Sequence, residues 1–201
     1  MIVIMISAKQ GSGKSALAKG LQKSLTKCAI TRFSKPLYEM HDKILSTMNR
    51  YNYDIELDKT LLQILGDWAR GIDSEVIVKC LLKDISRFRA AGMNFVIVDD
   101  LRYKREFSCV PSINIRLECD KEVRKARCSQ WRENDTHSSE TDLDDWVDKF
   151  DIVIDTGVST KEETLNKVLE LINGRIFEGA RTQSNTEIYY RGDQEGLEEP
   201  V

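Results

Sequence analysis

A glycine-rich stretch near the start of the chain carries residue types that bind phosphate. Residues 8–15 read AKQGSGKS and follow the pattern G-x-x-x-x-G-K-[ST], with Ala8 in place of the first glycine. In this pattern, backbone N–H groups wrap a phosphate, and the N-terminus of the next helix points at its charge. Lys14 would reach the β- and γ-phosphates of a nucleotide, and Ser15 would ligate Mg²⁺.

The glycines indicate which parts of this pattern the chemistry needs. Gly11 and Gly13 permit close backbone approach and unusual φ values. The first position only ends a strand and starts a turn, so Ala8 is compatible with it if its φ is negative. The alternative is a chance glycine-rich turn with a solvated lysine, which the flanking strand and helix make a poor explanation. The residues predicted to bind the nucleotide are Ala8, Lys9, Gln10, Gly11, Ser12, Gly13, Lys14, Ser15 and Ala16.

A second polar group follows the strongest strand candidate, in residues 94–106, which read NFVIVDDLRYKRE. An acidic residue after a buried strand beside the loop strand is the expected Mg²⁺ partner, directly or through water, and Asp100 takes that place. Arg102 could hold a phosphoryl group with two parallel hydrogen bonds. A strand that simply ends in a polar turn would explain one aspartate, but it explains the basic residues that follow less well.

These residues need a sheet to position them, and apolar segments alternate with helical segments along the chain. Runs of consecutive apolar residues suit strands covered on both faces, as in a parallel sheet. Two apolar stripes at helical spacing indicate helices, the second after a capping box at Thr160 and Glu163. The alternation predicts β-α-β crossovers and an α/β fold. The predicted strands are 2–7, 29–34, 94–99, 112–118 and 150–155, and the stripes are Ile77, Leu81, Ile85 and Phe88, and Leu165, Val168, Leu169 and Ile172.

The amino-acid composition is typical of a globular protein with a single domain. The chain has 201 residues, 41% hydrophobic and 31% charged, with a net charge of -3, which suits one globular domain with its own core. Without a long apolar run or a basic leader, we expect no membrane span and no signal peptide. Five scattered cysteines without a C-x-x-C pair predict reduced thiols, a cytoplasmic location and no zinc. The mild acidity argues against a nucleic-acid partner.

Several segments together resemble the phage-type deoxynucleoside monophosphate kinases. Residues 100–106 (DLRYKRE) resemble that family's D-[VL]-R-[FY]-x-x-E segment. Residues 33–40 (FSKPLYEM) look like its F-A-x-P-L-K-E, residues 61–70 (LLQILGDWAR) like its L-Q-x-x-G-T-x-x-R, and residues 137–140 (HSSE) like its H-x-S-E. Residues 150–156 (FDIVIDT) resemble its closing strand, and all the matches occur in the expected order. The chain departs from the pattern at Ala8, Asp67 and Thr156, where glycine, threonine and asparagine are common.

The resemblance implies a three-layer P-loop kinase fold with a central five-stranded parallel sheet, helices on both faces and a small lid. It implies ATP and Mg²⁺ as cofactors and a nucleoside monophosphate as acceptor, with Lys14 and Arg102 catalytic. Arg127 and Arg132 are predicted lid arginines by position, against the alternative of a solvated amphipathic helix. The residues expected to bind the acceptor are Ser34, Lys35, Arg70, Arg102, Glu106, His137 and Glu140, and those expected to bind the metal are Ser15 and Asp100.

Two of these residues also have ordinary structural explanations. Arg70 could be an exposed arginine at a helix end, favoured by the helix dipole. His137 could be a capping residue, and Ser139 with Asp142 forms an S-x-x-D helix start that needs no function. Ser34 and Lys35, in contrast, lie where the second strand should leave the sheet, just before Pro36 in a helix first turn, and the carboxyl end of that strand would place them at the acceptor pocket.

We predict one kinase domain over residues 1–179, with an acceptor-binding insertion at about 36–73 and the lid at about 124–142. Residues 180–201 are polar and predict a tail that is disordered or that pairs subunits as a homodimer. Three other functions remain open on sequence alone. They are a P-loop kinase for another small phosphate-bearing acceptor, a non-catalytic NTP-binding module and a nucleic-acid kinase, the last of which predicts salt-sensitive binding to oligonucleotides.

Overall fold

A computed structural model describes residues 1–51, 59–129, 131 and 137–191. The described residues form a parallel sheet of five strands in the order β2-β3-β1-β4-β5. The strands are β1 Ile2–Ala8, β2 Cys28–Thr31, β3 Phe95–Val98, β4 Ile113–Glu118 and β5 Ile152–Asp155. The helices are α1 Lys14–Ser24, α2 Lys35–Asn49, α3 Lys59–Ile72, α4 Val76–Ala90, α5 Lys104–Phe107, α6 Lys121–Arg127, α7 Ser138–Thr141 and α8 Lys161–Arg191, with a 3₁₀ helix at Asp144–Lys149.

The central strand β1 shows why the sheet is buried on both faces. Its side chains alternate, so that Val3 and Met5 enter one apolar cluster while Ile4 and Ile6 enter the other. The first cluster includes side chains of α4, and the second includes side chains of α1 and α8. Helices therefore cover both faces of a parallel sheet, which confirms the predicted three-layer α/β fold.

Both predicted helical stripes pack where the spacing indicates. Ile77, Leu81 and Ile85 of α4 are buried, and Phe88 packs against the same cluster. In α8, Val168 and Ile172 are fully buried, and Leu165 and Leu169 pack beside them. The predicted capping box is also present, since the Thr160 backbone N–H donates to Glu163 and the Glu163 backbone N–H donates to Thr160.

All five predicted strands exist, and β2 differs most in its bounds. It ends at Thr31 rather than at residue 34, because the backbone N–H groups of Phe33 and Ser34 donate to Asp100 and turn the chain into α2. Pro36 lies in the first turn of α2, as predicted. The strand and turn together bring the start of α2 to the carboxyl end of β3.

The predicted subdivisions of the domain are described only in part. The acceptor-binding insertion contains α2 and α3, with residues 52–58 outside the described residues, and residues 132–136 of the lid also lie outside them. The α8 backbone remains helical past residue 180 and ends at Arg191. Whether this tail pairs subunits stays a prediction. Among the described residues, no helix has the length and apolar character that crossing a bilayer requires.

Candidate active site

The loop between β1 and α1 forms the floor of a cleft of about 1020 Å³ at the carboxyl ends of the strands. Gly11 and Gly13 have φ values of 82° and 88°, in the region that favours glycine, as the sequence predicts. Ala8 ends β1 in extended conformation and has no positive φ, so the condition placed on alanine is met. Gly13 is the N-cap of α1, which places the helix N-terminus beneath the cleft.

Lys14, the first residue of α1, lies inside the cleft. Its Nζ atom donates to the carbonyl oxygen of Ala8 at 3.3 Å. Burial, and next the positive charge of Arg102, lower the pKa of the Lys14 ammonium group from 10.5 to about 8. A poorly solvated ammonium gains more than an exposed one from a nearby anion, because the interaction energy rises as the surroundings become less polar.

The loop is held from behind by residues that the sequence did not single out as structural. The Arg124 guanidinium is buried and donates to the carbonyl oxygen of Gln10 at 3.1 Å. Thr156 Oγ1 lies 3.0 Å from the carbonyl oxygen of Ser12, to which it donates. A Cβ atom at Gly11 would lie 2.6 Å from the carbonyl oxygen of Arg124. The start of α6 and the end of β5 therefore fix the shape of the loop.

Among the described residues, one buried hydroxyl group of the loop lacks a hydrogen-bond partner. Ser12 is almost fully buried, and its Oγ atom has no hydrogen-bond partner in the part of the chain that the structure describes. A buried unpaired hydroxyl is costly, and a phosphate oxygen would satisfy it. The positive-φ glycines, the helix N-terminus and this hydroxyl group together fit a nucleotide phosphate.

Asp99 and Asp100 follow β3 and have different partners. Asp99 is buried, and its two oxygens accept from Arg32 Nε at 2.7 Å and Arg32 Nη2 at 2.9 Å. Asp100 lines the cleft and accepts from the backbone N–H groups of Phe33 and Ser34 and from Ser34 Oγ at 2.6 Å. Its Oδ1 atom takes one of these bonds only and keeps a lone pair free. The exposed Ser15 lines the same cleft, so Ser15 and Asp100 could hold Mg²⁺ or its water ligands.

Two arginines line the wall of the cleft that the segment after β3 forms. The Arg70 guanidinium carbon lies 4.2 Å from the centre of the Tyr103 ring, and its Nη2 atom lies 3.9 Å from Glu106 Oε1. Arg102 Nη1 donates to the carboxylate of Glu140 and, at 3.1 Å, to the carbonyl oxygen of Ser139. Both guanidinium groups line the cleft that contains Lys14.

Glu106 is the most perturbed carboxyl group of this wall. Its Oε2 atom accepts from the backbone N–H groups of Arg102 and Tyr103, which fixes the turn before α5. Burial, and next the negative charge of Asp100, raise the pKa of Glu106 from 4.5 to about 8. At neutral pH the group therefore holds a proton, and it does not cancel the charge of Arg70.

Two of the predicted site residues, Lys35 and Arg127, have bonding partners within the protein. Lys35 does not line the main cleft, because its Nζ atom pairs with Asp84 of α4 at 2.6 Å. Arg127 lines the cleft on the side of β5, where its Nη2 atom donates to the carbonyl oxygen of Thr156 at 3.0 Å. Arg132, the other predicted lid arginine, lies outside the described residues.

The start of α7 also differs from the sequence interpretation. His137 is the N-cap and its Nδ1 atom accepts from the Ser139 backbone N–H, so the capping explanation of His137 is confirmed. The predicted Ser139–Asp142 helix start is wrong, since Asp142 instead accepts from the Lys104 backbone N–H at 2.8 Å. His137 and Glu140 still line the cleft, because α7 lies along its rim.

Several cleft residues were not singled out from the sequence, among them Tyr103 and Gln63. Tyr103 supports Arg70, and its position next to Arg102 in the matched segment was an available signal. Gln63 occupies the glutamine position of the matched L-Q-x-x-G-T-x-x-R segment, which was likewise an available signal. Among the described residues, no group of three or more His, Cys, Asp or Glu side chains forms a site that could hold a metal by itself.

The parallel sheet, the glycine loop and the lysine at the start of α1 define a P-loop protein with a kinase-like fold. The chain belongs to the AAA domain family, whose model matches residues 4–145. No curated protein matches the sequence.

Solved structures with a similar fold include the thymidylate kinase of Candida albicans, with a TM-score of 0.54 at 15% identity over 87% of this chain and 92% of that chain. A sugar kinase from Janibacter sp. HTCC2649 has a TM-score of 0.47 at 18% identity, over 86% of this chain and 95% of that chain. The shikimate kinase of Bacteroides thetaiotaomicron has a TM-score of 0.47 at 14% identity, over 86% and 98%. At these identities the likeness concerns the fold alone.

Proposed function

We propose that this protein is a kinase that transfers the γ-phosphoryl group of ATP to a ribo- or deoxyribonucleoside monophosphate, yielding two diphosphates. The observation that carries the proposal is one cleft that is lined both by Lys14, at the start of α1, and by two arginines from other segments, Arg70 and Arg102. A transfer between two polyanions needs positive charge from both sides of the reacting atoms. A protein that only binds NTP has no need of the second wall.

On the donor side, the loop supplies binding and orientation. The backbone N–H groups around Gly11 and Gly13 would cradle the phosphates, and the Ser12 hydroxyl would donate to one of them. Lys14 would exchange its bond to the Ala8 carbonyl oxygen for the β- and γ-phosphate oxygens. Arg124 keeps the loop in place without touching the nucleotide, because its guanidinium binds the Gln10 carbonyl oxygen from behind.

On the acceptor side, Arg70 and Arg102 would orient the acceptor phosphate so that one of its oxygens attacks the γ-phosphorus in line. The bond from that phosphorus to the bridging oxygen of ADP breaks as the new bond forms. The acceptor phosphate is ionised at neutral pH, so no general base is needed, and catalysis is positioning plus electrostatics. Tyr103, Glu106 and Glu140 hold the two arginines in place.

Mg²⁺, held by Ser15 and Asp100 or by their water ligands, would supply charge neutralisation at the β- and γ-phosphates. Asp100 also orders the turn at Ser34, which joins the metal side of the cleft to the start of the acceptor wall. We keep the predicted roles of His137 at the acceptor and of Arg127 at the phosphoryl group as proposals. Each of these side chains would have to exchange its present bond within the protein for a bond to the substrate.

The proposal is tested by measuring ADP formation from ATP and Mg²⁺ with each common nucleoside monophosphate in both sugar forms. We expect at least one of them to be phosphorylated. ADP formation with none of them, together with phosphorylation of another phosphate-bearing compound, would assign a different acceptor. Tight ATP binding without turnover of any acceptor would indicate a binding module.

The Lys14→Ala variant tests the donor side of the proposal. It should lower kcat by at least about a hundredfold, because it removes the ammonium group that stabilises charge on the transferred phosphoryl group. Lys19→Ala is the matched control, since Lys19 is an exposed lysine of the same helix that does not line the cleft. Steady-state rates and circular dichroism measure activity and folding separately, and near-normal turnover of Lys14→Ala would refute the role of this lysine.

A further inference from the structure

The cleft-facing side of α3 carries more polar groups than phosphate binding requires. At helical spacing it presents Leu62, Gln63, Gly66, Asp67 and Arg70 to the cleft. Arg70 is near the end of the helix, and Gln63 lies about two turns earlier, or roughly 10 Å along the axis. A nucleotide separates its phosphate from its base by a sugar, so a phosphate at Arg70 would direct the base toward Gln63.

Gln63 has a half-buried side chain with an unused hydrogen-bonding capacity. Within residues 1–51, 59–129, 131 and 137–191, no hydrogen bond of its amide group is found, although it lines the cleft. Of the acidic side chains that line the same cleft, Glu106 is already bonded to the protein through Oε2, and Glu140 binds Arg102 through Oε1, whereas its buried Oε2 has no partner among the described residues. An amide group left unpaired at a ligand cleft is the kind of group that fixes orientation and selectivity, because leaving it unpaired in the complex is costly.

The surroundings of Gln63 suit a flat ring. Phe33, Leu37 and Leu62 line the same cleft and belong to one apolar cluster. A nucleobase buries its two faces against apolar side chains and leaves only its edge to polar groups. The apolar residues would therefore hold the base, and the polar residues of α3 would read its edge.

Asp67 adds a carboxylate one helical turn after Gln63. It is largely exposed, and its Oδ1 atom lies 3.9 Å from Arg70 Nη1, so it is not tied up by a close ion pair. The two side chains together offer one donor, the Gln63 amide N–H, beside carboxylate acceptors. The edge of guanine carries the complement, a carbonyl oxygen next to two N–H donors, whereas uracil and thymine place a second carbonyl oxygen where the carboxylate needs a donor.

Resting on the proposed function, we infer that Gln63 and Asp67 read the base of the acceptor and favour guanine nucleoside monophosphates. The assignment concerns selectivity among acceptors and not the transfer step. Loss of one such hydrogen bond should cost about a tenfold to a hundredfold in kcat/KM for the guanine acceptor.

The test compares kcat/KM for guanine, adenine, cytosine and uracil or thymine nucleoside monophosphates in the unaltered protein and three variants. Gln63→Met keeps the length and helix preference of the side chain but removes the amide group. Ile64→Met is the matched control, because Ile64 is 58% exposed on the same helix and does not line the cleft. Asp67→Asn, measured in the same way, replaces one acceptor oxygen by a donor.

We expect the unaltered protein and Ile64→Met to prefer guanine at least tenfold over uracil or thymine. Gln63→Met and Asp67→Asn should each reduce that preference, with the KM for ATP unchanged. If nucleoside monophosphates are phosphorylated but the ratios between bases are the same in all the proteins, the inference is wrong and the proposed function stands. If no nucleoside monophosphate is phosphorylated by the unaltered protein, both are overturned.

Discussion

At the scale of single residues, the cleft contains two groups whose pKa differs strongly from that of the free side chain. Lys14 loses part of its preference for the charged form, and Glu106 retains its proton. Both shifts are caused chiefly by burial, which disfavours the ion. The result is that the wall facing the loop stays positive, although carboxyl groups lie beside its arginines.

The Glu106→Gln variant should change the pH dependence of stability. The pKa of Glu106 is raised from 4.5 to about 8, so the stability it contributes is fully present below pH 4.5 and is lost as the pH rises through about 8. Glutamine does not titrate and can still accept from the Arg102 and Tyr103 backbone N–H groups. Relative to Glu106→Gln, the unaltered protein should therefore lose on the order of a few kcal/mol between pH 5 and pH 8.5.

Urea unfolding at several pH values measures this difference. The charged groups that face Glu106 are Asp100, which follows β3, and Arg70 from α3, and both are present in the two proteins. The titration of Lys14 is likewise common to both, so it cancels in the difference. Parallel stability curves for the two proteins would contradict the raised pKa.

At the scale of elements, the contact between the phosphate-binding loop and α6 determines the shape of the site. A Cβ atom at Gly11 would both adopt a φ of 82° and approach the carbonyl oxygen of Arg124 to 2.6 Å. The loop cannot shift without moving α6 as well, since the Arg124 side chain also binds the Gln10 carbonyl oxygen of the loop. Strain at this contact should spread to the nucleotide site.

We predict that Gly11→Ala destabilises the protein more than Gly92→Ala. Gly92 has a φ of 73°, but no atom lies within 4 Å of the Cβ position, so its substitution adds backbone strain of about 1 kcal/mol and no clash. Gly11→Ala should cost roughly 2 kcal/mol or more and weaken ATP binding as well. Chemical denaturation and ATP titration of both variants measure the two effects, and equal losses would show that the contact with Arg124 is unimportant.

Sequence patterns sufficed for the elements and for part of the site. The five strands were predictable because a parallel sheet buried on both faces requires continuous apolar runs, such as that of β1. The loop was predictable because its glycines and Lys14 follow from backbone geometry and charge alone. Arg70 and Arg102 share one wall, an arrangement that the family resemblance suggested and that periodicity could not supply.

The direction of individual side chains was beyond the reach of the sequence. Lys35 begins a helix at the carboxyl end of a strand, a suitable place for a ligand-binding lysine, yet Asp84 from α4 draws it to the other side. Arg124 and Arg127 lie three residues apart on α6, and helical spacing alone does not distinguish their environments. Arg124 is buried against the Gln10 carbonyl oxygen, because its partners come from distant segments of the chain.

At the scale of the whole molecule, the sheet lies between two apolar clusters, and α8 closes the one beneath the loop helix. Gly20 of α1 faces Leu165 of α8, which allows these helices to pack closely. Since α1 carries the lysine of the site, the docking of α8 against α1, on the same face of the sheet, supports the site.

We predict that Ile172→Ala costs about 2–5 kcal/mol of unfolding free energy, because Ile172 is fully buried in this cluster. Ile176→Ala, one turn later, should cost less than about 1 kcal/mol, since Ile176 is 40% exposed. Denaturant unfolding of the two variants compares them directly. Equal costs would mean that α8 does not pack on the sheet at Ile172 as the structure has it.

The close packing of Arg70 over Gly66 has a consequence for how this protein could change over generations. A methyl group there would come within 2.9 Å of Arg70 Nη1, the far end of a flexible side chain, which would swing aside at little energetic cost. The fold would survive and the arginine would be misdirected. A substitution at position 66 would then go undetected in any screen that measures only solubility or melting temperature. Positions 66 and 70 could change without loss of function only if they changed together.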